Sequence, residues 1–514
     1  MNRNRGSLAV LAAGVLLSLT ATPAYAEEPA SGRVTGRVVT EQPGSVTVNL
    51  WTTDGASGGQ VLTGTDGTFS FDGVPVGTYK IQYGFLGRFQ WSHAKLGFST
   101  ADVVTVAAGQ VTTVPEETMF RPGTVEVVAI DATTGAPVDA VCAGVQEWSL
   151  QCGGTDGRLR LENLADGTYT LHVRSSDGLH ARQEVKNVKV VLGQVTRVEV
   201  ALRATTAITT TVVDRATGEP VPNTCVAVLP TVFGALDDRT CQWDVNYTDD
   251  QGRVTVGELE PGDYRLLVLP DDGAHGIQWV GRRGGVGRQQ NALPVTGEPG
   301  RLSTVATVRL DPPASITGTI RDAGTGEPLG NGCAGVLPIR QAAYVPGAGR
   351  SCAGSDGVYT VGNLGPYDWP LEFTHFYSYI EPYASVWSGG APDRKQATPV
   401  RAGIDQPGVA SDVSLARTGP RLTVDAVSQD GQPYRGWLAG EIYNARTGDL
   451  VKEFSATGPA QVDGLAEQPV KIRYVPSGPW VAGWYGGTDL DSAKSVRVRP
   501  DKLTRVTVVL AERD

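Results

Sequence analysis

Six cysteines are the residues of this sequence whose type and spacing point most directly to chemistry. They occur as three close pairs: Cys142 and Cys152, Cys225 and Cys241, Cys333 and Cys352. Cysteines spaced in this way form disulfides in an oxidising compartment or bind a metal through their thiolates. Zinc usually requires four close Cys or His ligands, whereas the five histidines are scattered along the chain. We therefore predict disulfides, with a metal site as the alternative, and we expect no metal and no cofactor.

Acidic residues could supply hydrolytic chemistry if two of them faced each other. Glycoside hydrolysis normally requires two carboxylates on opposite sides of a cleft, one of them with a raised pKa. The acidic candidates are interpreted instead as solvated loop residues: Asp237, Asp238, Asp244, Asp489 and Asp491. No His-Glu-x-x-His motif occurs either. The sequence thus predicts no catalytic residue.

Tryptophans recur in Gly-rich or polar segments and are the candidate ligand-binding residues. They are Trp91, Trp279, Trp387 and Trp484. Aromatic faces at loop tips suit stacking on sugar rings, and several copies could add weak contacts by avidity. The structural alternative is that each tryptophan covers an open edge of its own domain.

The sequence segments that must position these residues recur several times along the chain. Segments similar to TDGTFSFDGVPVGTYKI at 65–81 recur at 155–171 and 248–266. A less similar copy lies at 355–373, and a strongly diverged copy lies at 457–474. Asp-Gly suits a tight turn, because glycine accepts positive φ and aspartate bonds to its own backbone. The residues after the turn alternate between apolar and polar, as in Phe69-Ser70-Phe71, which is typical of a half-buried strand. Self-similarity at the spacing of one small domain indicates an array.

Recurring first and last strands set the predicted domain boundaries. A signal peptide, 1–26, precedes five domains, called repeats 1 to 5 below: 27–119, 120–203, 204–311, 312–418 and 419–514. One cysteine pair falls at the same place in each of repeats 2, 3 and 4. Of the fifteen formal pairings for six cysteines, the repeat positions select the one that stays within each repeat.

The N-terminal leader indicates the cellular compartment, and the net charge limits the classes of binding partner. Arg3 and Arg5 precede an apolar run from Leu8 to Leu19, which is too short to span a bilayer and reads as a secretory signal. We therefore expect a secreted, extracellular protein without a membrane span once the leader is removed. The formal net charge of −10 argues against nucleic acid binding. The basic cluster Arg282, Arg283 and Arg288 lies in a Gly-rich stretch and is interpreted as a solvated loop.

Composition indicates an all-β protein with many turns. The chain has 65 Gly and 32 Pro but only 2 Met, and it contains Val- and Thr-rich runs. The order of strand, Thr-Gly-x-Pro turn, Thr-Asp-Gly turn and Gly-x-Tyr strand resembles the carboxypeptidase regulatory-like domain, kin of Cna protein B-type repeats and of carbohydrate-binding-like folds. This resemblance implies a tandem array of five transthyretin-like (prealbumin-like, Ig-like) β-sandwich domains of a secreted actinobacterial protein.

Three functions are compatible with this sequence. The leading interpretation is a secreted, non-catalytic, monomeric rod of sandwich domains that binds a polysaccharide or an extracellular, cell-wall protein. One alternative is a polysaccharide-active hydrolase of the alpha-amylase type, or an accessory subunit to one. The other is a purely structural spacer.

Overall fold

The structure is a computed structural model that describes most of the chain after the predicted leader. The described residues are 30–40, 45–85, 88–95, 97–119, 122–154, 156–164, 166–232, 234–237, 239–241, 246–340, 345, 348–376, 383–410, 412–419, 421–499 and 502–513. The predicted signal peptide, 1–26, and the acidic candidates Asp238 and Asp244 lie outside them. Within these ranges the chain forms β-strands and two short 3-10 helices, Phe98–Thr100 and Gln289–Asn291, and no α-helix. The all-β prediction is confirmed.

The strands fall into five successive groups that follow the repeats. Repeat 1 contains β1 (Ser31–Val39), β2 (Thr47–Thr52), β3 (Ser57–Leu62), β4 (Thr68–Pro75), β5 (Gly77–Phe85), β6 (Arg88–Trp91), β7 (Val104–Val106), β8 (Val111–Thr113) and β9 (Glu117–Thr118). Repeat 2 contains β10 (Gly123–Asp131), β11 (Val141–Gly144), β12 (Gln151–Cys152), β13 (Arg158–Leu164), β14 (Gly167–Ser175), β15 (Gln183–Val190) and β16 (Val195–Leu202). Repeat 3 contains β17 (Thr206–Asp214), β18 (Cys225–Pro230), β19 (Arg253–Leu259), β20 (Gly262–Leu269), β21 (Gln278–Val280), β22 (Gly285–Val286), β23 (Val295–Gly297), β24 (Arg301–Thr304) and β25 (Val308–Leu310).

The last two repeats follow the same plan with shorter strands in repeat 4. Repeat 4 contains β26 (Ala314–Asp322), β27 (Gly332–Gly335), β28 (Arg350–Cys352), β29 (Val358–Leu364), β30 (Asp368–Trp369), β31 (Glu372–His375), β32 (Val386–Trp387), β33 (Val400–Arg401), β34 (Gly408–Val409) and β35 (Val413–Leu415). Repeat 5 contains β36 (Leu422–Val427), β37 (Trp437–Asn444), β38 (Leu450–Thr457), β39 (Ala460–Val462), β40 (Pro469–Pro476), β41 (Gly483–Trp484), β42 (Val496–Arg497) and β43 (Thr504–Val509).

Each repeat builds two main sheets, and repeat 4 adds a two-stranded sheet of β30 and β33. In the first sheet the opening strand lies centrally, between a middle strand, which follows the Asp-Gly turn in repeats 1, 2 and 4, and a late strand: β4-β1-β8, β13-β10-β16, β19-β17-β24, β29-β26-β34 and β39-β36-β43. The second sheets have the orders β3-β2-β5-β6, β12-β11-β14-β15, β18-β20-β21-β22, β28-β27-β31-β32 and β38-β37-β40-β41. In repeat 1, Val34 and Phe71 of one sheet and Leu50 and Ile81 of the other belong to one buried cluster, so the two sheets form a sandwich.

The glycine of the Asp-Gly turn packs closely against the backbone of the opening strand, which explains why the turn recurs. In repeat 3 the turn is the longer Asp249-Asp250-Gln251-Gly252; its glycine has φ +69, and a Cβ built there would lie 2.3 Å from the carbonyl oxygen of Val212. The N–H of Val212 donates to the carbonyl oxygen of Gly252 at 2.7 Å. Gly157 repeats this arrangement against Ala129, with a distance of 2.3 Å from the built Cβ to the carbonyl oxygen. Only glycine combines the positive φ with so close a backbone approach.

The Gly-x-Tyr phrase has an equally local cause. The hydroxyl of Tyr79 donates to the carbonyl oxygen of Pro75 at 2.9 Å, and the hydroxyl of Tyr264 donates to that of Glu260 at 2.5 Å. Each ring is buried while its hydroxyl holds the turn four residues earlier. A buried phenol requires such a partner, which explains why tyrosine rather than phenylalanine recurs.

A second recurring interaction was not predicted: an aspartate at the Thr-Gly-x-Pro turn bonds to a side chain of a distant loop. Asp214 Oδ1 accepts from the N–H groups of Ala216 and Thr217, while its Oδ2 lies 3.0 Å from Nε2 of His275 in the loop after β20. Hydrogen bonds from Thr217 and His275 lower the pKa of Asp214 to about 2. The corresponding side-chain hydrogen bonds join Asp131 to His180 and Asp322 to Tyr383. An aspartate at the turn therefore anchors a distant loop in three repeats.

Contacts divide the chain into two compact units. The first comprises Met1–Thr124, Glu162–Gly167 and Val190–Thr196, and the second comprises Val125–Leu161, Thr168–Lys189 and Arg197–Asp514. Repeat 1 therefore lies in the first unit, repeats 3 to 5 lie in the second, and repeat 2 is divided.

Within the second unit, residues 234–237 of repeat 3, which lie in the loop between Cys225 and Cys241, contact both repeat 4 and repeat 5. Leu236 is fully buried, its N–H donates to the carbonyl oxygen of Pro338 at 2.8 Å, and its own carbonyl accepts from the N–H of Arg340 at 2.9 Å. The carbonyl of Gly234 accepts from the N–H of Leu450 at 2.8 Å. A rod of modules that meet only their sequence neighbours is therefore wrong for this unit, because one long loop reaches two repeats further on.

A close backbone approach joins repeats 2 and 3, also within the second unit. A Cβ built on Gly178 would lie 2.7 Å from the Cα of Gly257, and the N–H of Glu258 donates to the carbonyl oxygen of Gly178 at 2.7 Å. Gly178→Ala is expected to separate the two backbones and to destabilise the unit, measured as the free energy of unfolding in urea.

The matched control for Gly178→Ala is Gly218→Ala. Gly218 has a similar φ of +77, against +69 at Gly178, but nothing lies within 4 Å of its built Cβ. Both variants carry the strain of a side chain at positive φ, and only Gly178→Ala adds a clash, which we expect to cost about 1–3 kcal/mol more. Equal losses would contradict the role given to the contact.

Candidate functional site

Three disulfides are present, and each joins two cysteines of one repeat. The bonds are Cys142–Cys152, Cys225–Cys241 and Cys333–Cys352, with sequence separations of 10, 16 and 19 residues. Cys142 and Cys333 lie directly opposite their partners across strand pairs. This is the pairing that the repeat positions predict. No group of three or more metal-ligating side chains occurs among the described residues.

The four predicted tryptophans occupy equivalent positions in the fold, but their side chains are not the exposed aromatic surfaces that sugar stacking requires. Each lies on the short strand that pairs with the Gly-x-Tyr strand or its counterpart: β6, β21, β32 and β41. Trp91, Trp279 and Trp387 are only 7%, 1% and 5% exposed. Their burial favours the structural alternative, in which each ring covers the edge of its own sandwich. Trp484 is half-buried, with its ring centroid 5.3 Å from that of Tyr443.

The charged candidates have local roles. Asp237 Oδ1 accepts from the N–H of Arg239 at 3.0 Å, and Asp489 Oδ1 accepts from the N–H of Ser492 at 2.7 Å, so both cap their own turns. Asp491 is exposed. In the basic cluster Arg282 and Arg283 are also exposed, whereas Arg288 donates to the carbonyl oxygen of Lys395 at 3.2 Å. No described helix is long and apolar enough to cross a membrane.

One aromatic side chain that the sequence argument did not consider is far more exposed than these. Trp148 is 84% exposed. It lies in the loop between β11 and β12, where the N–H of Ser149 donates to the carbonyl oxygen of Gln146 at 3.2 Å and closes a turn. The disulfide Cys142–Cys152 staples the two strands at the base of this hairpin. A rigid base therefore presents an aromatic face to solvent at low entropic cost.

A polar cleft between repeats 2 and 3 lies beside this hairpin, within the second unit. Its volume is about 560 Å³, and its lining includes Cys142, Cys152, Arg174, Arg182, Arg239 and Asn246. Arg182 Nη1 lies 3.3 Å from Glu147 Oε1, next to Trp148, and Arg182 Nε lies 2.8 Å from Glu258 Oε2 of repeat 3. The hairpin is thus tied to the cleft through Arg182. Guanidinium and amide groups in a cleft donate hydrogen bonds to hydroxyl- or carboxylate-bearing ligands.

The sequence did contain a signal for Trp148. The candidate tryptophans follow the Gly-x-Tyr strand of their repeats, and repeat 2 has no tryptophan there. A tryptophan between two cysteines ten residues apart lies in a short loop once they are bonded, which favours an exposed position at a hairpin tip.

Comparison with known proteins gives structural neighbours only. No family model matches the sequence, and no curated protein is similar to it. The minor pilin GBS52 of Streptococcus agalactiae is 11% identical, with a TM-score of 0.24, and the match covers 34% of this chain and 96% of that one. The TIE protein of Bacillus anthracis is 13% identical, with a TM-score of 0.15 and coverage of 75% and 68%. BcpA, the major pilin subunit of Bacillus cereus, is 12% identical, with a TM-score of 0.14 and coverage of 55% and 99%.

TM-scores this low carry no argument about the function of this chain. The resemblance to carboxypeptidase regulatory-like domains therefore stays a prediction from the sequence. The function must be argued from the residues described above.

Proposed function

We propose that the protein is a secreted, non-catalytic binding protein that recognises a polysaccharide through the hairpin 141–152 and the adjoining cleft. The observation that carries this proposal is the exposed ring of Trp148 on a disulfide-closed hairpin beside a cleft whose lining includes both hydrogen-bond donors and carboxylate acceptors. Pyranose rings have apolar C–H faces that stack on such an aromatic surface. The arginine and amide groups would then bind the ring hydroxyls.

Two further features support an extracellular site of action. The N-terminal segment has the pattern of a secretory leader. Three disulfides are typical of a protein in an oxidising compartment. We propose that the five segments bounded as in the sequence analysis act as separate sandwich domains of the carboxypeptidase regulatory-like type.

Trp148→Ala tests the proposal. Tryptophans that anchor interfaces typically contribute 2 kcal/mol or more, so we expect binding to soluble starch or to an isolated cell-wall polysaccharide to weaken by about thirtyfold. The ring is exposed, and the thermal unfolding of the protein should therefore stay unchanged. Affinity electrophoresis or isothermal titration calorimetry measures the first effect, and differential scanning calorimetry the second.

Trp437→Ala is the matched control, because Trp437 is 52% exposed but lies in repeat 5. Its affinity for polysaccharide should equal that of the wild type. Equal weakening by both variants would assign the binding to unspecific aromatic surface. Release of reducing sugar by the pure wild-type protein would instead favour the hydrolase alternative.

A further inference from the structure

The loop between β20 and β21 of repeat 3, residues 270–277, contacts the backbone of repeat 4 within the second unit. The N–H of Ile277 donates to the carbonyl oxygen of Asn363 at 2.7 Å, and the N–H of Gly365 donates to the carbonyl oxygen of Ile277 at 2.8 Å. A Cβ built on Gly276 would lie only 2.4 Å from the carbonyl oxygen of Leu364. The position of loop 270–277 therefore decides whether this contact can form.

His275, directly before these residues, bonds to a carboxylate through each of its ring nitrogens. Its Nδ1 lies 2.6 Å from Oδ2 of Asp272, and its Nε2 lies 3.0 Å from Oδ2 of Asp214. The imidazole is only 10% exposed. A neutral imidazole has one N–H and would direct a lone pair at the second carboxylate, whereas an imidazolium donates to both. The geometry therefore favours the protonated ring.

The remaining charged groups near His275 are bonded to one another or exposed. Arg215 Nε lies 2.6 Å from Oδ1 of Asp311, and the hydroxyl of Tyr367 donates to Oδ2 of Asp311. The charged or titratable groups around the ring are Asp271 and Asp272 on its own loop, Asp214 and Arg215 at the end of β17, Asp311 after β25, and Tyr367 of repeat 4. Asp271 is exposed. The two carboxylates bonded to the ring are therefore Asp272 and Asp214.

His275 is the member of this group that titrates near neutral pH. Burial lowers its pKa, but the hydrogen bonds to Asp272 and Asp214 raise it, and the pKa lies above the ordinary value of about 6.5. The pKa of Asp214 is about 2, and burial raises the pKa of Tyr367 above its ordinary value. A raised pKa means that the stabilisation by the imidazolium is fully present below about pH 6.5 and is lost as the pH rises through the raised value.

We propose that protonation of His275 controls the contact between repeats 3 and 4. The imidazolium, bonded to Asp272 and Asp214, holds loop 270–277 against β29, and loss of the proton leaves one carboxylate facing a lone pair and loosens the loop. This control does not depend on the polysaccharide surface proposed for repeats 2 and 3, and Trp148→Ala should leave it unchanged.

Nuclear magnetic resonance of the full chain with labelled histidine measures the titration of His275. The chain has five histidines, and the signal that disappears in His275→Gln identifies this ring. We expect a midpoint above the ordinary value of about 6.5. Asp272→Asn removes one of the two charges and should lower the midpoint. A wild-type midpoint at or below the ordinary value, or no change in Asp272→Asn, would overturn the proposal.

Hydrogen exchange resolved at single amides measures the contact itself. Protection factors, which are corrected for the intrinsic pH dependence of exchange, are compared about two pH units below and above the measured midpoint. At Ile277 and Gly365 we expect protection to fall about tenfold at the higher pH, the effect of one hydrogen bond to a charged group. This comparison uses the wild-type protein, so it does not depend on the folding of a variant. Unchanged protection would overturn the proposal.

A second contact between the same two repeats is the internal control. The N–H of Leu236 donates to the carbonyl oxygen of Pro338 at 2.8 Å, and the N–H of Arg340 donates to that of Leu236 at 2.9 Å. These amides should keep the same protection at both pH values. An equal fall at Leu236 and Arg340 would show a general loss of stability at high pH and would overturn the role of His275.

His180→Gln is the matched control variant for His275→Gln. The phrase Asp-Gly-x-His occurs at 177–180 as well as at 272–275. Nε2 of His180 lies 3.2 Å from Asp131, but its Nδ1 has no partner among the described residues. His275→Gln should remove the difference in protection of Ile277 between low and high pH, whereas His180→Gln should keep it. A difference that persists in His275→Gln would overturn the proposal.

Discussion

Asp449→Ala should destabilise the second unit by about 3–5 kcal/mol, the cost of leaving one charge of a buried ion pair without its partner. The partner is Arg394 of repeat 4, whose Nη2 and Nε lie 2.8 and 3.1 Å from the two carboxylate oxygens of Asp449 in repeat 5. The two side chains are only 6% and 5% exposed. Arg394 Nη1 also donates to Oε1 of Gln289 in repeat 3 at 2.7 Å, so three repeats meet at this guanidinium. Urea unfolding followed by tryptophan fluorescence measures the loss.

A double variant and an exposed pair serve as controls for Asp449→Ala. Replacing both partners, as Arg394→Met with Asp449→Leu, removes the two charges together and should cost much less than the single change. Arg203 pairs with Glu260 at 2.5 Å, but these side chains are 55% and 68% exposed. Arg203→Ala should therefore produce no measurable change. A loss from Asp449→Ala no larger than that from Arg203→Ala would show that the buried pair does not hold the repeats together.

The parts of the fold that the sequence predicts are those with local causes. The Asp-Gly turns, the Gly-x-Tyr strands and the spacing of the cysteines each depend on residues close in sequence, and these reappear in successive repeats. The alternation in Phe69-Ser70-Phe71 is matched by burial of the two phenylalanines and partial exposure of the serine. Such signals survive because a one-residue change of register would turn every apolar side chain to solvent.

Contacts between repeats left no comparable signal. Arg394 and Asp449 are 55 residues apart, and nothing in either neighbourhood marks the other as its partner. The loop between the paired cysteines differs in length among repeats 2, 3 and 4, so the repeat pattern does not predict where the loop of repeat 3 lies. Contacts of this kind depend on how two finished sandwiches fit together, which periodicity does not encode.

The tryptophans show a further limit of reasoning from sequence. Val386 and Trp387 form a strand of two residues between two serines, followed by Gly389 and Gly390, which in sequence is indistinguishable from a loop. Pairing with β31 turns the indole inward, to 5% exposure. The Gly-rich sequence around these tryptophans therefore indicated a shared position but suggested too high an exposure of their side chains. The exposed Trp148 does not follow a Gly-x-Tyr strand and so lay outside that pattern.

The Cys225–Cys241 disulfide carries the second large predicted effect, because it closes the loop that contacts repeats 4 and 5. Cys225→Ser with Cys241→Ser opens a loop of 16 residues, which should cost about 3 kcal/mol in the chain-entropy model. Leu236 is fully buried within this loop, so its release would also expose apolar surface and free the N–H groups of Arg340 and Leu450. Hydrogen exchange should show lost protection at both of these amides.

The matched control for this disulfide is Cys142→Ser with Cys152→Ser, which opens the hairpin that carries Trp148. That loop of 10 residues belongs to repeat 2. Its opening should lower the stability of repeat 2 and weaken polysaccharide binding, yet leave the amides of Arg340 and Leu450 protected. Unchanged exchange at these amides in the Cys225→Ser, Cys241→Ser variant would mean that the loop stays seated without its disulfide, since the hydrogen bonds of Gly234 and Leu236 would then suffice to hold it against both neighbouring repeats.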